Sequence, residues 1–150
     1  MSYNNFIMAT LKEDIKTGSN WISAALKSSG YKADFSLKSL KEVDRFFDEH
    51  SKDGKPTDGG LLSEQIGNRL FCIGSYVGEV IRKKIGGEWI VNDSDPQGEI
   101  NITLKTTHGT QMWPVQRVMK RLQNGAEDSI AAYGSFIGTE DTKKPFWKFW

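Results

Sequence analysis

An α+β fold is what the sequence predicts: N-terminal helices including one long central helix, a three-stranded antiparallel meander, and C-terminal helices. Three observations carry that expectation. Apolar residues recur at helical spacing through residues 5–85, the period switches to two between residues 89 and 115, and helical spacing returns afterwards. Helices and strands gathered in separate runs mark an α+β chain rather than an alternating α/β one.

Each helix has a local reason. In residues 5–28, Ile7, Leu11, Ile15, Ile22 and Leu26 repeat in steps of four and seven. Gly18 interrupts them and Ser19 or Asn20 offers a second cap, so a kink or break is expected there. Gly30 ends the segment. Ser36 or Ser39 is the next N-cap, and Ser39 with Glu42 has capping-box spacing. The helix behind it carries Leu37, Leu40, Val43, Phe46 and Phe47 inward, with Lys38, Lys41, Glu42 and Arg45 outward. Residues 51–60 (SKDGKPTDGG) are turn formers throughout and predict an exposed loop.

Residues 61–85 predict the central helix. Leu62, Ile66, Leu70, Ile73, Val77 and Val80 form one stripe, and Gly67, Phe71, Gly74, Gly78, Ile81 and Ile85 form another beside it. Two adjoining apolar stripes demand neighbours on two sides. The remaining face holds Asn68, Cys72, Ser75, Glu79, Arg82 and Lys83. Each glycine in a helix interior costs about 1 kcal/mol against alanine, a cost explained if another backbone passes close by.

Past Gly86 and Gly87, Trp89 and Val91 read as a strand, and residues 93–98 (DSDPQG) as a turn. Ile100, Ile102 and Leu104 alternate with Asn101, Thr103 and Lys105, the pattern of a half-buried strand. The chain turns at His108, Gly109 and Thr110, and residues 111–115 return as a third strand, with Pro114 suited to an edge. Residues 115–123 predict a short helix stopped by Asn124 and Gly125. Glu127 and Asp128 then open a last helix that buries Ile130, Tyr133 and Ile137.

The length of 150 residues sets one domain as the default, with residues 1–142 as the folded unit and residues 143–150 as an aromatic tail. Such a chain buries roughly two-thirds of its unfolded surface, enough for a core without disulfides or metals. The single cysteine, Cys72, fits a reducing compartment. No basic segment followed by an apolar run marks a signal peptide, and no apolar stretch approaches the ~20 residues of a membrane span. A cytoplasmic location is therefore expected. The net charge of +1, from 20 basic and 19 acidic side chains, lacks the basic excess of a general nucleic-acid binder. Charge is nonetheless segregated: Lys105, Arg117, Lys120 and Arg121 precede Glu127, Asp128, Glu140 and Asp141. Such blocks form either a partner-facing patch or two solvated faces.

Motifs for catalysis are absent. There is no Walker A, Rossmann fingerprint or nucleophile elbow, and the glycines at 74 and 78 fall inside a helical pattern that withholds their amides from a phosphate. His50 at a helix end and His108 in a hairpin turn lack metal-ligand spacing, so neither a metal nor a cofactor is expected. Cys72 has no activating base nearby in sequence. Glu79 reads as a surface ion pair with Arg82 and Lys83, and Asp44 with Asp48 as part of a solvated face shared with Lys41 and Arg45.

Two features point to binding. Arg117, Lys120 and Arg121 lie on one side of a short helix just after Trp113, an arrangement that can grip phosphate or an acidic partner. The tail carries Phe146, Trp147, Phe149 and Trp150 among its last five residues. These aromatics fold back on their own domain, dock into a partner or second copy, or touch a membrane interface, where five residues give only weak attachment.

The run Gly78-Glu79-Val80-Ile81-Arg82, then Gly86-Gly87-Glu88-Trp89, then residues 113–122 (WPVQRVMKRL) and Asn124-Gly125 with Glu127-Asp128-Ser129, resembles small bacterial domains of unknown function. Some of those are encoded beside polymorphic toxins as immunity proteins. The resemblance spans residues 36–138, rests on structural motifs, and implies no catalytic residues. The N-terminal helix and the aromatic tail lie outside it. Together with the composition and the tail, it leads to the expectation of a non-enzymatic, cytoplasmic protein-binding module that occludes a partner, a toxin or a second copy of itself. On this reading Phe146, Trp147, Phe149 and Trp150 make the contact, with Arg117, Lys120 and Arg121 as a secondary patch. An enzyme or small-ligand-binding domain, with a cleft near Glu79, Arg82 or Cys72, is the second expectation. Weak nucleic-acid binding through the basic helix is the third; nucleic acid and membrane both rank below a protein partner.

Overall fold

The computed structural model describes residues 9–143, with side chains through residue 137. Helix α1 (Leu11–Ser28) opens on a capping box: Thr10 Oγ1 accepts from the Glu13 amide at 3.2 Å while Glu13 Oε1 accepts from the Thr10 amide at 2.8 Å. The expected break at Gly18 does not occur. Gly18 is buried where α1 crosses a later helix, and a Cβ there would lie 3.2 Å from Cys72 Sγ and 3.6 Å from Cys72 Cα. The glycine serves a close approach, and the helix runs through it.

A 3-10 turn (Leu37–Ser39) leads into α2 (Leu40–His50). Ser36 caps the turn, accepting from the Ser39 amide at 3.1 Å. Ser39 forms no capping box with Glu42. Its hydroxyl instead lies 2.6 Å from both the Ser36 carbonyl and the Tyr76 hydroxyl, and Glu42 accepts from the Lys32 amide at 2.9 Å. The expected loop after α2 begins with a small hairpin, β1 (Ser51–Lys52) and β2 (Lys55–Pro56). Asp53 and Gly54 close it with φ of 54° and 79°, two successive left-handed residues that suit an Asp-Gly hairpin turn.

Helix α3 (Ile66–Ile85) is the centre of the molecule. It starts at residue 66 rather than 61, after Gln65 at φ 50°. Every residue from Leu70 to Gly78 is buried, as for a helix with neighbours all round. The side read as polar is covered too: Cys72 and Ser75 are both buried. α1 covers one flank, and α4 (Pro114–Asn124) and α5 (Ile130–Lys143) cover others. The expected close passage of a backbone is found at Gly74, where a Cβ would sit 2.7 Å from Val115 Cα. Gly67, by contrast, meets nothing within 4 Å.

Strands β3 (Gly87–Ile90), β4 (Thr103–Thr106) and β5 (Gln111–Met112) form the antiparallel meander in that order. Trp89 stands opposite Leu104, and Leu104 opposite Met112; all three are buried. The strands are shorter than alternation suggested. The amides of Ile100 and Asn101 both bond the Gln97 carbonyl at 3.1 Å, a turn that takes Ile100 out of β4. Pro114 belongs to the first turn of α4 rather than to an edge strand. Glu127 and Asp128 lie in a 3-10 turn (Gly125–Asp128) ahead of α5, which buries Ile130 and Ile137 and half-buries Tyr133. Among the described residues, no helix is long and apolar enough to cross a membrane.

Candidate functional site in a basic, aromatic cleft

The structure disperses the basic patch expected on α4. Arg121 is 2% exposed, because it continues the buried row Val115, Val118 on that helix. Its Nε donates to Asp44 Oδ1 at 2.8 Å, and its Nη2 donates to Asp48 Oδ1 at 2.7 Å and to the Asp44 carbonyl at 3.1 Å. Asp44 is thus no part of a solvated face. Its carboxylate also accepts from Ser129 Oγ at 2.9 Å and from the amides of Ile130 at 2.9 Å and Ala131 at 2.8 Å, capping α5 from another helix. Arg117 stacks over Tyr133, 4.3 Å from the ring centroid, and pairs with Asp128 at 3.5 Å. The segregated basic and acidic blocks meet each other here. Lys120 alone of the three is exposed. Phe146, Trp147, Phe149 and Trp150 lie outside the described residues. His50 stacks on Phe46 at 4.7 Å.

A different constellation forms where α3 meets β3. At Gly78 a Cβ would fall 2.1 Å from the Trp89 ring, so glycine is what lets the indole lie against the helix. Glu79, the next residue, receives the indole N–H on Oε2 at 2.7 Å. Arg82, one turn on, donates to the same carboxylate through Nε at 2.7 Å and Nη2 at 2.9 Å. This bidentate pair is not the solvated surface pair expected, since the Glu79 side chain is only 12% exposed. Burial pushes the Glu79 carboxyl up, but the bonds from Arg82 and Trp89 outweigh it and hold the group below its ordinary value. An ionised carboxylate with both oxygens engaged is a poor general acid.

That ion pair forms one wall of an open cleft of about 490 Å³. Lys12, Lys16 and Ser19 of α1 form the opposite wall, with Phe35, Lys83, Glu88 and Trp89 completing it. Phe35 has φ 65°, a rare conformation for an aromatic residue. Tyr76 holds it there: the Tyr76 hydroxyl accepts from the Phe35 amide at 3.0 Å, and the two rings lie 4.7 Å apart. Lys83 Nζ sits 5.4 Å from the Phe35 ring centroid. With Arg82 matched to Glu79, three lysines face one further acid, Glu88. Among the described residues none of Lys12, Lys16 and Lys83 joins an ion pair within 4.0 Å.

Cys72 lines a second cleft of about 470 Å³, with Asp14, Trp21, Asn68, Arg69 and Glu99 around it. Burial pushes the Cys72 thiol up, so the sulfur stays protonated and a weak nucleophile. Among the described residues no group of three or more His, Cys, Asp and Glu is placed to hold a metal ion. Lys12, Lys16 and Phe35 escaped the sequence reading because residues from 12 to 89 converge only in three dimensions. Trp89 with Glu79 and Gly78 had a partial signal, a glycine and a carboxylate adjacent on a central helix.

Compared with known proteins, the chain matches no family model, no curated protein and no solved structure.

Proposed function

We propose that this is a non-enzymatic, cytoplasmic binding module whose basic, aromatic cleft receives an acidic segment of a partner protein. The observation that carries the reading is the set of three lysines, Lys12, Lys16 and Lys83, around the half-buried Phe35, none of which joins an ion pair among the described residues. Cations in excess of acids around an open cleft attract carboxylates and steer encounter, while the half-buried Phe35 ring offers area to an apolar side chain beside them. Glu79 and Arg82 neutralise each other and serve to fix Trp89, a positioning task rather than proton transfer. A lone buried thiol supports the cytoplasmic assignment. Occluding a toxin in the manner of an immunity protein is one form such binding takes.

The test is fluorescence anisotropy with a labelled peptide of six glutamates and one central tryptophan, at low and at physiological salt. Binding that weakens with salt, and weakens at least about tenfold in the Lys16→Glu, Lys83→Glu double variant, supports the reading. Equal binding by wild type and double variant, or no binding at low salt, refutes it.

A further inference from the structure

The second cleft rests on observations independent of the first. Arg69 lies over Trp21, its guanidinium carbon 4.5 Å from the ring centroid. Its Nε is buried and, among the described residues, has no hydrogen-bond partner. A buried, charged donor without an acceptor is costly, and native structures rarely leave one so. Stacking fixes the plane of the guanidinium; its Nε is closed to a ligand, and the terminal Nη groups, which no hydrogen bond or ion pair among the described residues engages, are what a planar anion can reach. A carboxylate from the chain itself is near at hand, since Asp14 and Glu99 line the same cleft. Yet among the described residues Arg69 makes no ion pair with either one within 4.0 Å. The cleft therefore holds a cation and two anions, each with capacity for a ligand charge of the opposite sign.

Asp14 stands beside other acids. Burial, and then the neighbouring charges of Glu13 and Asp93, push its carboxyl up, so a cation at this point would be favoured. Gly18 and Cys72, packed on each other where α1 crosses α3, form part of the lining, and the thiol stays neutral. Asn68 and Thr17 add neutral polar groups. The volume of about 470 Å³ lies within the range of small-molecule sites.

We propose that this cleft is a site for a free, zwitterionic α-amino acid, its carboxylate received by Arg69 over Trp21 and its ammonium group by Asp14 and Glu99. Both charges are needed on one small molecule, which separates an amino acid from a simple carboxylate or a simple amine.

The experiment is isothermal titration of the full chain with each of the twenty amino acids at pH 7. At least one should bind, and its Nα-acetyl and carboxamide forms should each bind at least about tenfold more weakly, because each removes one of the two charges. Arg69→Gln and Asp14→Asn should each weaken binding to a similar degree while the circular dichroism spectrum stays unchanged. Should Arg69→Gln fail to fold, Arg69→Lys keeps the charge, removes the planar fork, and is expected to lose affinity too. The Lys16→Glu, Lys83→Glu variant should bind the amino acid like wild type, which separates this site from the first cleft. Absence of any heat or stabilisation up to about 10 mM ligand would overturn the proposal, as would binding indifferent to Arg69 or to acetylation.

Discussion

Replacing Asp44 by alanine tests whether the helices are clasped as described. The Asp44 carboxylate accepts from Arg121, Ser129, Ile130 and Ala131, and Arg121 is 2% exposed. Removing it strands a buried guanidinium with only Asp48 and the residue-44 carbonyl, and it uncaps α5. Breaking a buried pair from one side costs about 3–5 kcal/mol. Loss of a helix cap alone costs about 1 kcal/mol and here overlaps the first effect, since one carboxylate does both jobs. We therefore expect Asp44→Ala to lose about 3–5 kcal/mol, equivalent to a fall in Tm of about 6–20 °C for a domain of this size. Urea unfolding followed by circular dichroism measures it. Arg121→Met should also destabilise, and the double variant should lose clearly less than the sum, because the remaining partner is no longer left charged and alone. A loss under about 1 kcal/mol in Asp44→Ala, or strict additivity in the cycle, would refute the clasp.

Other outcomes follow from single contacts. Gly74→Ala brings a Cβ to 2.7 Å from Val115 Cα, which is backbone and has little room to yield, so a loss of about 1–3 kcal/mol is expected on thermal or urea melting. Gly67→Ala, with nothing within 4 Å, should be neutral or stabilising by up to about 1 kcal/mol in the same assay. Tyr76→Phe removes the hydroxyl shared by Ser39 and the Phe35 amide and should cost about 1–3 kcal/mol, with a changed chemical shift for the Phe35 amide. Glu79 sits below its ordinary value of 4.5 in the fold, so its contribution is present above that pH and is lost as pH falls through the lower folded value. Stability against pH for wild type and Glu79→Gln should accordingly differ at neutrality and converge in acid.

How much of this was legible in the sequence differs by the kind of cause. The twin stripes of α3 and the crowding at Gly74 were legible because periodicity and glycine placement are local signals with one physical meaning. The break at Gly18 was misread because a glycine that interrupts a helix and one that admits a neighbour look identical along the chain. Ser39 and Glu42 had capping-box spacing, but Tyr76, far away in sequence, captured the serine hydroxyl. Judged beside their own neighbours, Asp44 read as part of a solvated face and Arg121 as part of a partner-facing patch. One signal did exist: Arg121 stands three residues after buried Val118, on the inward row of α4, where a cation requires an acid. The cleft itself assembles Lys12, Phe35, Lys83 and Trp89 from α1, a strained turn, α3 and β3, and no spacing rule links them.

The all-round burial of α3 sets the order of events when this chain is made. Residues 70–78 are apolar or small on every side, and the elements that cover them, α4 and α5, are synthesised later. Until residues 114–137 have emerged, the flank of α3 that α4 and α5 cover stays open to water. A fragment ending before α4 should therefore aggregate or recruit a chaperone rather than form a smaller version of the fold. The last helices supply none of the residues lining either cleft, yet they decide whether the nascent chain survives long enough to form them.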